Sequence, residues 1–142
     1  MNWTLELLVV PVANIDRAKA YYVDKAGFEE LVDVQVGSDG GAMRVVQLTP
    51  RGSGCAIALM DRTPMVPGSI YGLHVVVPNI EVARSELLAR GVEVSDPFHF
   101  GPKGQEPGLD PNRQNYNSFA SFSDPDGNTW LIQEVDRSRQ VA

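Results

Sequence analysis

Apolar and polar residues follow one another in short runs whose period switches from strand to helix and back, and the series of switches occurs twice. Thr4 to Val12 is almost continuously apolar, the pattern of a strand covered on both faces. Ile15, Ala18, Tyr22 and Ala26 then recur at helical spacing behind Asn14, an N-cap residue, with Asp16 in the first turn and Gly27 after the last. Phe28 to Val36, Ala42 to Leu48 and Cys55 to Met60 read as three strands, with turns at 37–41 and 49–54. After Asp61 to Ser69, which holds Pro64 and Pro67, the order begins again. Ile70 to Val77 is a strand, and Asn79 caps a helix whose stripe is Ile80, Ala83, Leu87 and Leu88. Gly91 ends that helix and Val92 to Ser95 starts a further strand.

The closing hairpin is the plainest local signal. Ser118 to Ser123 and Thr129 to Glu134 are strands joined by Asp124-Pro125-Asp126-Gly127-Asn128. There Pro125 pre-sets φ, Asp124 can bond the backbone ahead of it, and Gly127 accepts a positive φ. Pro50 and Gly52 repeat the arrangement. Asn14 and Asn79 are 65 positions apart, and Pro50 and Pro125 are 75 apart. The difference falls in 97–115, a polar Pro/Gly-rich stretch read as a long loop carrying Phe98, His99 and Phe100. The chain is thus read as α+β, with two tandem βαβββ modules, 4–60 and 70–135, joined by a linker at 61–69. One helix cannot cover both faces of a four-stranded sheet. The two sheets are expected to form a curled mixed β-sheet around a cleft, the usual form of a small-molecule site. Mutual burial of the bare faces is the plainer alternative.

Composition narrows the function. The net charge of −6 argues against a nucleic-acid partner, and no apolar run is long enough to cross a membrane. One cysteine, Cys55, rules out an internal disulfide and a thiolate metal cluster, and it is expected to be a buried, inert thiol. With no secretory leader visible, a cytoplasmic location is expected. No phosphate loop, HExxH or nucleophile elbow is present.

The repeated Val-x-Asn-Ile-acid start, Ala18-Lys-Ala-Tyr-Tyr22 running to Gly27-Phe28, and Phe122-Ser-Asp-Pro-Asp-Gly-Asn128 resemble the vicinal-oxygen-chelate superfamily, which includes glyoxalases, bleomycin-resistance proteins and extradiol dioxygenases. The resemblance spans Leu5 to Glu134. It implies, in metal-dependent members, ligands on the first strand and on the strand after the last hairpin of each module. Those positions hold Leu7, Ala56, Gly72 and Leu131 here, none able to bind a metal. A two-residue slip that keeps the face brings in only His74 and Gln133.

With Leu7 facing the cleft, Trp3, Leu5 and Val9 are expected to share its face. Gly72, His74, Val76, Leu131 and Gln133 do so in the second module, with Phe98 and Phe100 closing over a planar ligand. A strand histidine satisfied by a neighbouring carbonyl is the plainer account of His74, and loop packing that of Phe98 and Phe100. Trp130 is read as core under a helix. The leading expectation is a homodimeric protein that binds a small apolar or aromatic molecule and needs no cofactor, as the resistance members of the family do. The alternative is an enzyme, a lyase or a dioxygenase-type oxidoreductase, with unorthodox divalent-metal ligands or with His74 as general base.

Overall fold

The structure is a computed structural model that describes residues 1–38 and 41–139. Asp39 and Gly40, within the turn expected at 37–41, lie outside the described residues. Among the described residues, nine strands and two α-helices follow one another as β1 (Leu7–Pro11), α1 (Ile15–Ala20), β2 (Glu29–Val36), β3 (Met43–Thr49), β4 (Ala56–Met60), β5 (Tyr71–Val77), α2 (Ile80–Ala89), β6 (Phe98–Gly101), β7 (Gly104–Pro107), β8 (Phe119–Ser123) and β9 (Thr129–Glu134). α1 runs on into a π-helical turn over Tyr21–Lys25. The class is α+β, with two mixed sheets. One has the order β1-β4-β3-β2, the other β5-β9-β8-β6-β7. In each, the strand before the helix pairs parallel to the last strand, and the remaining pairs are antiparallel.

The chain divides into two compact units that cut across chain order. The first is Met1–Ile70 together with Asp124–Asn128, and the second is Tyr71–Ser123 with Thr129–Ala142.

In the first unit, Asp33 on β2 and Arg44 on β3 bond to Lys19 and Asp16 of α1, which fixes the helix-facing side of the sheet. By strand alternation Val10, Ile57, Leu59, Val46 and Leu48 share that side, and all are at most 3% exposed. Ile15, Ala18 and Tyr22 fill the space between helix and sheet. The Asn14 side chain accepts from Arg17 N, and Gly27 takes φ +81, so both ends of the helical segment close as its sequence requires. The Asp124–Asn128 turn completes this core. Asp124 Oδ1 accepts from the backbone N–H groups of Asp126, Gly127 and Asn128, and its Oδ2 accepts from the Tyr22 hydroxyl at 2.8 Å. Asn128 is fully buried and makes three side-chain hydrogen bonds. Its amide nitrogen donates to Pro11 O and Asp124 Oδ2, while its oxygen accepts from Ile70 N.

In the second unit α2 packs on β8 and β9. Asn79 caps it by accepting from Glu81 N and Val82 N. Trp130 lies on the helix-facing side of β9, 3% exposed and stacked on Phe122. Two expectations are corrected here. Val92 to Ser95 is not a strand: Val92 N bonds back to Leu87 O, and the Ser95 hydroxyl accepts the Ser121 N–H that a ladder would have used. The 97–115 stretch is not all loop. Phe98–Gly101 and Gly104–Pro107 form a hairpin whose first strand pairs with β8, taking the place β2 has in the first sheet, with β7 added outside it.

β1 is also shorter than Thr4 to Val12, starting at Leu7. Cys55 sits just before β4 and is half-buried rather than buried.

Candidate functional site

The face of the second sheet turned away from α2 gathers most of the residues expected to meet a ligand. Glu134 reaches the first N–H of α2, at Ile80, so Trp130, Ile132 and Glu134 mark the helix side and Leu131 and Gln133 the other. Ladder pairing places His74 opposite Leu131 and Val76 opposite Gln133. Phe119 lies opposite Gln133 on the next strand, and Phe98 opposite Phe119 on the one beyond. Phe100 shares the side of Phe98 by alternation. The three phenylalanines form one aromatic group. Phe98 and Phe119 stack with ring centroids 5.5 Å apart, and the Phe100 ring meets both edge-on at 6.2 and 5.5 Å. Phe100 remains 51% exposed and Val76 44%, while Phe119 is buried beneath them. A shallow depression of about 370 Å³ opens beside this group, lined by Phe98, Gln105, Pro107, Ser121 and the carboxylate side chains Asp96 and Glu106.

Phe119 is a member that the sequence reading missed. Phe119 and Phe122 are three apart on one strand, so they must face opposite ways. Phe122 goes to Trp130, and Phe119 joins the aromatic group.

Gly72 does not lie where the sequence reading put it. The register shifts between Tyr71 and Leu73, and Gly72, at φ +92, is the extra residue of a β-bulge. The bulge puts the exposed His74 opposite Leu131, the hairpin-strand position of the expected ligand set. In the first unit the corresponding pair is Leu7 and Ala56. Leu7 and Val9 lie on the side of their sheet away from α1. Trp3 and Leu5 do not join them on a strand. They precede β1 and are 84% and 65% exposed, because the ladder begins only at Leu7.

The polar groups of the second-unit face are held from behind. His74 Nδ1 lies 2.6 Å from Gly72 O. Gln133 donates through Nε2 to Tyr116 O at 3.1 Å. Tyr116 belongs to a strap, 108–118, in which Arg113 at φ +50 and Tyr116 at φ +73 both adopt the left-handed region. Side chains fix this backbone in place. Asp110 accepts from Asn112 N and Gln114 N, Asn115 pairs with both backbone groups of Asp136, and Asn117 with both of Phe100. Arg113 anchors the strap on the fully buried Glu134 carboxylate, with Nε at 3.0 Å and a terminal nitrogen at 2.6 Å. The Arg113 guanidinium, helped by the Ile80 N–H, holds that carboxyl below the usual range against the opposing effect of burial.

The residues do not fit the divalent ion that the resemblance implies. Among the described residues no three His, Cys, Asp or Glu side chains lie close enough to share one. The pairs Leu7–Ala56 and His74–Leu131 offer one donor side chain in four. His99, the other histidine, is buried on the opposite side of its sheet, between Gly108 O and Glu106.

Similarity to known proteins agrees with the architecture. The profile of the Glyoxalase/Bleomycin resistance protein/Dioxygenase superfamily matches residues 4–132. No curated protein matches the chain. Among solved structures, TnmS3, an antibiotic binding protein from Streptomyces sp. CB03234, is 33% identical, with a TM-score of 0.72 over 94% of this chain and 96% of its own. A glyoxalase/bleomycin resistance protein from the same organism is 34% identical, with a TM-score of 0.69 over 92% and 99%. A superfamily member from Sphaerobacter thermophilus DSM 20745 is 28% identical, with a TM-score of 0.70 over 94% and 98%. Strand order, the repeated helix start and the span of the profile match agree, and the chain belongs to the Glyoxalase/Bleomycin resistance protein/Dioxygenase superfamily.

Proposed function

We propose that this protein binds an apolar or aromatic small molecule on the phenylalanine-bearing sheet face, without a metal, and holds it unchanged. One observation carries the reading: Phe98, Phe100 and Phe119 form a partly exposed aromatic group on the same face as only a few polar side chains, among them His74 and Gln133. Apolar area supplies affinity and the polar groups supply orientation, the usual division in small-molecule sites. The likeness to an antibiotic binding protein supports the ligand class, and the aliphatic side chains at Leu7, Ala56 and Leu131 support binding without a metal. The reading includes a homodimer and, given a single cysteine, a reducing cytoplasmic setting.

A thermal-shift screen against aromatic natural products tests it. At least one compound raises the melting temperature, and Phe100→Ala removes most of that rise by deleting an aromatic contact surface. A panel with no stabilising member overturns the proposal, as does a ligand recovered chemically altered. The second outcome favours an enzyme, and His74 gives that reading its own footing. With Nδ1 committed to a carbonyl, Nε2 is placed to take a proton. In that case His74→Ala abolishes turnover and leaves the fold intact.

A further inference from the structure

His74 and Gln133, both on the aromatic face, share one hydrogen-bonding polarity. Gly72 O can only accept, so His74 Nδ1 carries the ring proton, and in the neutral ring Nε2 is left as an acceptor. Tyr116 O can only accept, so the Gln133 amide must turn its nitrogen toward it, leaving Oε1 on the other arm as an acceptor. Neither orientation is accidental. The Gly72 carbonyl belongs to the bulge residue, and the Tyr116 carbonyl is set by a left-handed backbone whose own N–H is bonded to Glu134 O at 2.9 Å. Gln133 lies two residues beyond Leu131, the cross-strand partner of His74. His74 and Gln133 are therefore diagonal neighbours on one sheet face. Ser121, and Gln105 opposite Phe100, can each donate or accept, and they leave the polarity of the His74 and Gln133 pair as it is.

We infer that the ligand is a planar aromatic carrying at least two hydrogen-bond donors, a polyphenol in chemical class, rather than a quinone, an aryl ether or an unsubstituted ring system. The inference rests on the small-molecule reading given above and adds what selects among aromatics of equal area. The phenylalanines stack on any of them. A phenolic hydroxyl satisfies Nε2 of His74 or Oε1 of Gln133. An ether or carbonyl oxygen in the same place leaves two lone pairs facing each other with no proton between them, and each unmatched buried acceptor weakens binding. Gly72 and Tyr116 act through His74 and Gln133 as positioning residues.

Calorimetric titration of the intact chain with three probes tests this: a naphthalenediol, its dimethyl ether and naphthalene itself. The diol binds about tenfold more tightly than either of the others, the factor expected from two neutral hydrogen bonds of modest net strength. His74→Phe and Gln133→Leu each reduce that advantage to about threefold. Equal affinities, or an ether that binds more tightly than the diol, overturn the donor inference and leave small-molecule binding standing. If none of the probes binds a chain that circular dichroism shows to be folded, the small-molecule reading falls and this inference with it. The comparison of three probes on the unsubstituted chain decides the matter even if a variant fails to fold.

Discussion

Asn128 shows how much one amide can hold. Three of its four bonding capacities meet Pro11, Asp124 and Ile70 at full burial, so no smaller or apolar side chain repeats its role. Asn128→Ala leaves the Ile70 N–H unmet, strips the Pro11 carbonyl of the shorter of its two hydrogen bonds while Gly68 N–H keeps the other, and costs about 2 kcal/mol, measured by chemical denaturation. Asn128→Asp keeps the acceptor, loses the donor and brings a second carboxylate beside Asp124, so it is at least as harmful. Gly68 is fixed by the same turn. Its φ is +82 and an added Cβ would lie 2.0 Å from the Asp126 carbonyl oxygen, so Gly68→Ala displaces backbone and lowers stability by about 2 kcal/mol or more. Tyr21, beside Tyr22, has its hydroxyl pKa pushed up to about 12 by burial and by the Asp124 carboxylate, so it stays neutral at any physiological pH.

At the scale of elements, β9, α2 and the strap meet at one carboxylate. Glu134 receives the strap through Arg113 and the helix through Ile80 N–H. Its folded pKa is depressed, so the stability it contributes is present above the ordinary glutamate range and is lost as pH falls through the depressed value. Asp33, held low by Arg44, and Asp136, held low by Ser138, carry the same sign. Acid titration of the melting temperature therefore falls below about pH 4, and Glu134→Gln makes that fall shallower while lowering stability at neutral pH. Arg113→Met leaves the buried Glu134 carboxylate with only the Ile80 N–H and the more distant Arg139, costs about 2 kcal/mol, and frees the strap that holds Gln133.

Helix starts, the Asp124–Asn128 turn and most strand cores were legible, because capping and turn chemistry are local and side-chain specific. Two features were legible only in hindsight. A glycine inside a strand pattern marks a bulge, and Gly72 is one. Phe98-His99-Phe100 alternates as a strand should, and Gly101 to Gly104 is a turn, yet the surrounding prolines and glycines read as loop. The strap was not legible at all. Its shape comes from Arg113 meeting Glu134, residues 21 apart whose pairing no local pattern announces.

For the whole molecule, binding and folding are linked. A ligand present at a hundred times its dissociation constant adds about 2.7 kcal/mol, enough to raise the melting temperature by about 5–10 °C in a chain of this size. Elemental analysis of the purified protein finds well below one transition-metal ion per chain, and prolonged chelation leaves the melting temperature where it was. Stoichiometric metal whose removal destabilises the fold contradicts the metal-free reading.

Membership in the two units does not follow the order in which residues are made. As the chain leaves the ribosome, the first seventy residues emerge without the turn that closes their interior. Asp124, which takes the Tyr22 hydroxyl, and Asn128, which ties Pro11 to Ile70, are translated more than fifty codons later. The segment up to Ile70 therefore forms a sheet that only a later segment can finish, and a ribosome stalled before Asn128 would hold a nascent chain with that interior still ajar.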